Sequence, residues 1–110
     1  LQTMASYEIE FDAREVRLLR KELLRRPGVT RVAWSEVDQV EARRATAATP
    51  VELVFYRADG PALTVAAGQR GFDALRAALP AHLRHADEAW WPALNAAPLQ
   101  ERRYLVWDRT

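Results

Sequence analysis

The stretch "HLRHADE", residues 82 to 88, holds the side chains best suited to bind a metal. His82, His85 and Glu88 stand three apart, and on a helix such residues share a face. Leu83 points to burial beside them, Pro80 disturbs the helix just upstream, and no second ligand cluster stands elsewhere, so the spacing reads as two exposed histidines rather than a metal centre. Carboxylates also come in close pairs, Glu36 with Asp38 and Asp87 with Glu88. They serve acid–base chemistry only inside a pocket, and no pattern of that kind surrounds them. No nucleophile is evident either. Cysteine is absent, and Ser6 and Ser35 occupy strand or cap contexts without the flanking glycines of a nucleophile elbow. The chain's 4 glycines form no phosphate-binding series. These residues argue against an enzyme and call for no metal and no cofactor.

Binding chemistry is better represented. Between Asp12 and Arg31 lie seven basic residues (Arg14, Arg17, Arg20, Lys21, Arg25, Arg26, Arg31) and three acidic ones (Asp12, Glu15, Glu22), a local sum of +4. The net charge is +1, so the rest of the chain carries −3. Nothing global therefore draws the chain to nucleic acid, but the asymmetry could steer an acidic partner; otherwise it is a solvated face. Of the 4 tryptophans, Trp34 and Trp107 sit in strand-like, apolar surroundings and read as core. Trp90 and Trp91 are adjacent and cannot both face inward. One of them belongs at the surface or in a boundary groove, where tryptophan favours a partner contact. The partner-binding candidates are thus Arg20, Lys21, Arg25, Arg26, Trp90 and Trp91.

The elements that must position these residues follow from periodicity. "SYEIEF" alternates Tyr7, Ile9 and Phe11 against glutamates, a strand with one buried face. Residues 13 to 26 are ambiguous: Val16, Leu19, Leu23 and Leu24 fit one helical face, which the pattern favours, while "EVRLLR" can instead alternate as a strand after a turn at Asp12. "RVAWSEVDQVEARR" starts as a strand, breaks step after Trp34 and resumes. A single helical turn, with Ser35 and Asp38 satisfying free amides, would make that corner between two strands. "RATAATP" reads as a loop tip, and "VELVFYR" and "ALTVAA" form a hairpin through Asp59-Gly60, with Val51, Leu53 and Phe55 on one face and Val54 and Tyr56 on the other. From Gly71 the period changes to that of a helix, with Phe72, Leu75, Leu79 and Leu83 in one stripe and a kink or early end at Pro80. A second helix opens at Asp87 or, shorter, at Pro92, and "RRYLVW" returns as a strand.

Strands, then helices, then a strand make one α+β domain of 110 residues with a mostly antiparallel sheet. Leu1 to Ala5 read as a flexible or appended terminus, with Met4 as a start. Cysteine's absence excludes a disulfide framework and fits a reducing, cytoplasmic interior, although a periplasmic protein can lack cysteine too. No apolar run reaches the length of a membrane span, so stable insertion is not expected. Arginine and alanine abundance points to a GC-rich bacterial gene.

The "VAWSEV" corner, "QVEAR", the "VELVFYRADGPALTV" hairpin and the "GFDALRAAL" helix together resemble small bacterial pleckstrin-homology-like (PH-like) proteins, some of which look like immunity proteins of polymorphic toxins. The likeness covers most of residues 6 to 109, and its motifs are core and turn residues. It implies a non-catalytic protein-binding domain, most specifically an immunity protein that neutralises a cognate toxin by direct binding. The alternative is an adaptor or regulatory domain that binds a protein or a membrane head group. Two departures stand out: "RKELLRRPG" is longer than the turn at that place in the proteins resembled, and "PALNAAPLQERR" replaces a polar segment before the last strand.

Overall fold

The computed structural model describes residues 5–22, 24–96 and 100–109. Its described residues form seven strands, two α-helices and one 3₁₀ turn, an α+β arrangement of two antiparallel sheets. The strands are β1 (Ala5–Phe11), β2 (Glu15–Glu22), β3 (Gly28–Ala33), β4 (Gln39–Arg44), β5 (Glu52–Arg57), β6 (Gly60–Ala66) and β7 (Arg102–Asp108); the helices are α1 (Phe72–His82) and α2 (Trp90–Asn95). One sheet has the order β1-β2-β3, the other β6-β5-β4-β7. Of the terminus expected to be flexible, residues 1–4 lie outside the described residues, while Ala5 already pairs with Glu22.

The helix that the pattern favours over residues 13 to 26 is not formed: this segment is β2 and the turn after it. The reason is local as well as tertiary. Asp12 Oδ1 accepts the backbone N–H groups of Arg14 and Glu15 at 2.8 and 3.0 Å and turns the chain back on itself. Val16 and Leu18 then lie opposite Phe11 and Ile9, completing the apolar face that β1 leaves open. Pairing on both sides outweighs a helix propensity of a few tenths of a kcal/mol per residue. Leu19 pairs with Val29 on the other face, Leu24 is in the turn, and Leu23 lies outside the described residues.

The break in step after Trp34 is the expected corner, a 3₁₀ turn over Trp34–Glu36 that carries the chain from the first sheet to the second. Its capping differs from expectation. The Ala33 N–H is taken by the Glu36 carboxylate at 3.2 Å, whereas Asp38 pairs with Arg109. The Arg109 guanidinium also donates to the carbonyls of Trp34, Ser35 and Val37, closing the corner from the end of β7. Trp34 is buried there; its indole N–H donates to the Asp12 carbonyl at 2.9 Å and its ring meets Phe55 edge-on.

Between the sheets and helices lies one core. Val16 and Val32 enter it from the first sheet, Val40, Leu53, Phe55 and Val65 from the second, and Phe72, Leu75, Leu79 and Leu83 as the α1 stripe. Helix α1 ends at His82, two residues past Pro80. Helix α2 begins between the two starts that the sequence allows: Asp87 accepts the Ala89 N–H just before it, and Pro92 stands in the first turn, where a missing N–H is harmless. Gly71, at φ 92°, docks α1 on β1 so closely that an added Cβ would lie 2.2 Å from the Ile9 carbonyl oxygen. Arg44 holds the loop after β4 by donating to the carbonyls of Thr46, Ala47 and Thr49, and its remaining nitrogen reaches Leu94 of α2.

Candidate functional site

The four basic candidates converge at one end of the first sheet. Arg20 and Lys21 are near the end of β2, Arg25 and Arg26 follow in the turn, and Arg20, Arg25, Arg26, Glu22 and Gly28 line a hollow of about 140 Å³. Strand parity explains the division of labour: Arg20 lies opposite Tyr7 and Gly28, on the same face as Val16 and Leu18 but beyond the core, while Lys21 faces the other way. Gly28 supplies no side chain, which keeps the hollow open beside Arg20.

The cluster is only partly neutralised. Glu22, whose side chain is nearly buried, pairs with Arg20 and lies 3.5 Å from Arg25 Nε, and Glu8 takes Lys21 Nζ at 3.2 Å. Arg26 is exposed and has no ion pair among the described residues. Four cations against two carboxylates leave a local +2. Such charge, solvent-exposed and clustered at a protruding end, favours an anionic surface.

At the apex stands a residue that the helical reading of residues 13 to 26 would bury and the hairpin does not. Leu24 is 97% exposed and holds a left-handed backbone, φ 69°. Of the two readings that the periodicity allows, the helix places Leu24 in the core and the hairpin turns it outward. The signal available in advance was "RRPG", whose proline and glycine close a turn as readily as they stop a helix.

The tryptophan pair divides as adjacency requires. Trp90 is 2% exposed and anchors α2 in the core, which removes it from direct partner contact. Trp91 is half-buried against Phe72, and the Arg76 guanidinium lies 4.5 Å from its ring centroid. Arg76, Trp91, Pro80 and Glu88 border a cleft of only about 50 Å³ between the helices. The structure therefore does not bring the tryptophans together with the basic tip as one surface.

The histidines also part company. His82 is half-buried, stacked flat on Trp34 at 4.5 Å and edge-on to Phe11 at 6.1 Å, which corrects the expectation of two exposed histidines. His85 is exposed, on a left-handed backbone at φ 66° just after α1. No group of three or more potential metal ligands occurs among the described residues. A wider trough of about 610 Å³ at the end of the second sheet, lined by Asp38, Tyr56, Arg57 and Arg109 among others, has its charges engaged: Asp38 with Arg109, Arg57 with Glu36.

Asp12 is displaced below the ordinary carboxylate range, down to about 2. The Arg17 hydrogen bond is the largest cause, followed by the N–H groups of Arg14 and Glu15. That is the electrostatics of an exposed turn and not of an acid–base pair. Among the described residues no helix is long and apolar enough to cross a membrane. No family model, curated protein or solved structure matches the chain.

Proposed function

We propose that the chain is a non-catalytic protein-binding domain whose β2–β3 tip engages an acidic partner surface. The observation that carries this is Leu24. An exposed leucine gives the free domain no burial, and its left-handed backbone costs about 1–2 kcal/mol. A feature that stabilises nothing alone gains its value when a partner buries it. Around it Arg20, Lys21, Arg25 and Arg26 supply the charge that brings an acidic surface into register. The specific form of this reading is a bacterial immunity protein of PH-like fold that covers the active site or a required surface of a cognate toxin. Support for the fold is the seven-stranded, two-sheet antiparallel arrangement with helices packed against it. Support for the mode is an apolar tip on a basic hairpin, suited to entering an acidic cleft.

The test is co-expression with a toxin domain encoded beside the gene, read as growth rescue. Leu24→Asp should abolish rescue without lowering the unfolding midpoint. Undiminished rescue by a variant that combines Leu24→Asp with charge reversal at all four cations would overturn this reading. A leucine among cations also suits a membrane head group, the basis of the adaptor reading; sedimentation with anionic vesicles that depends on Leu24, without rescue, would favour it.

A further inference from the structure

Strand β3 is the edge of the first sheet, and its backbone groups divide by parity. The Trp34 N–H bonds toward β2, at the Arg14 carbonyl, so Thr30 and Val32 also face β2. Val29, Arg31 and Ala33 present their N–H and C=O groups to the open side. Two of those groups are occupied by side chains. Arg57 Nη2 donates to the Arg31 carbonyl at 3.1 Å, and Glu36 Oε1 accepts the Ala33 N–H at 3.2 Å. Glu36 and Arg57 face each other at 3.5 Å. In a parallel ladder a single residue donates to position i−1 and accepts from position i+1; this ion pair does the same around Val32. It stands in for a neighbouring strand and ends the open edge at Arg31.

Beyond this plug the edge is bare. Residues 28 to 31 are all exposed, Val29 at 45%, and the Val29 N–H and C=O and the Arg31 N–H have no hydrogen-bond partner among the described residues. Strand β6 approaches β3 without pairing to it. The free groups run straight into the basic tip at Arg25 and Arg26.

From this we infer that an extended segment of a partner protein adds to β3 as a further strand over residues 28 to 31. An apolar side chain of the segment lies abreast of Val29, and its acidic residues reach Arg25 and Arg26. This rests on the protein-binding reading above and supplies its mode: main-chain pairing for affinity, charge and the Val29 position for selection. A partner that docked through side chains alone would leave that reading intact and remove this one.

The probe is an acidic peptide, Glu-Glu-Thr-Val-Thr-Glu-Glu, fused ahead of Ala5 through a Gly/Ser linker. The start of β1 lies two strands from β3, about 10 Å, so tethering raises the local peptide concentration to the millimolar range. Relative to a linker-only fusion, amide hydrogen exchange at Val29 and Arg31 should slow about tenfold or more. Val29→Pro, which removes an outward N–H and no ladder bond, should abolish the slowing at Arg31 with the unfolding midpoint retained. If that variant loses midpoint, Arg31→Pro read at Val29 replaces it. The combined Glu36→Ala, Arg57→Ala variant should extend protection to Ala33. Unchanged exchange at Val29 and Arg31, equal slowing by a lysine version of the peptide, or slowing that survives both proline variants would overturn the inference. Growth rescue that depends on Leu24 and the arginines, together with unchanged exchange, would assign the failure to the strand mode alone.

Discussion

Under the proposed binding mode, Leu24 sets stability against partner contact in a single side chain. Leu24→Gly removes the left-handed penalty of an L-residue, only partly offset by the added freedom of the unfolded chain, and should raise stability by about 0.5–1 kcal/mol. The same change should weaken partner binding, because it deletes the apolar contact. Urea midpoints and growth rescue that move in opposite directions are the expected result; a drop in midpoint would show that the leucine packs in the free domain. Asp12 offers a second test at this scale. Its folded value, about 2, lies below the unfolded carboxylate's, about 3.9. Its contribution is therefore complete above about pH 4 and is lost as the pH falls through about 2. Asp12→Asn keeps an acceptor for the turn amides but does not titrate. The difference in thermal midpoint between wild type and this variant should shrink steadily from about pH 5 to about pH 2. A constant difference would show that the Arg17 contact contributes nothing through charge.

Among the elements, α1 depends on how it meets β1. Ile9 donates its N–H to the Arg70 carbonyl at 2.7 Å, and Gly71 then turns into the helix against the Ile9 backbone. Gly71→Ala introduces both a left-handed alanine and a clash with a carbonyl that cannot move without breaking β1, so a loss of at least about 2 kcal/mol is expected in denaturant unfolding. Leu75, fully buried in the α1 stripe, should lose about 2–5 kcal/mol on truncation to alanine, with the spread set by how far the sheets can close on the cavity. An unchanged midpoint for Leu75→Ala would show that the helix does not supply the core face. The two variants test different joints: one the helix start against an edge strand, the other the helix face against both sheets.

Charge acts on the whole molecule. The net of +1 conceals a tip whose cations exceed their local carboxylates. Steering by Arg20, Lys21, Arg25 and Arg26 extends about one Debye length, roughly 8 Å in physiological salt. Association with an acidic partner should therefore slow as ionic strength rises, and reversal of these charges should reduce mainly the on-rate. Stopped-flow rates that ignore salt would place the interface elsewhere, with the outer side of the β5–β6 hairpin as the next candidate. Trp91, half-covered by Arg76, should affect the off-rate if it touches the partner at all; Trp90 acts only through the stability of α2.

Period and turn chemistry were legible in advance wherever one side chain decides the local path. The Trp34 corner, the Asp59-Gly60 hairpin and the α1 stripe could all be read, because alternation and helical spacing record which face is buried. The basic candidates were legible as a cluster of three arginines and a lysine, and their convergence followed once they shared a hairpin. Residues 13 to 26 were not readable in this way, since leucines spaced for a helix also fit a strand whose inner face is Val16 and Leu18, and only pairing with β1 and β3 chooses. Burial of Trp90 over Trp91, His82 against Trp34, and the Glu36–Arg57 plug on the β3 edge join residues distant in the chain. Sequence determined which segments could be strands and helices, because those choices rest on near neighbours. Tertiary structure decided between the two readings of residues 13 to 26, and so the exposure of Leu24, and it alone decided which backbone edge stays open, because strand pairing depends on what lies across the fold.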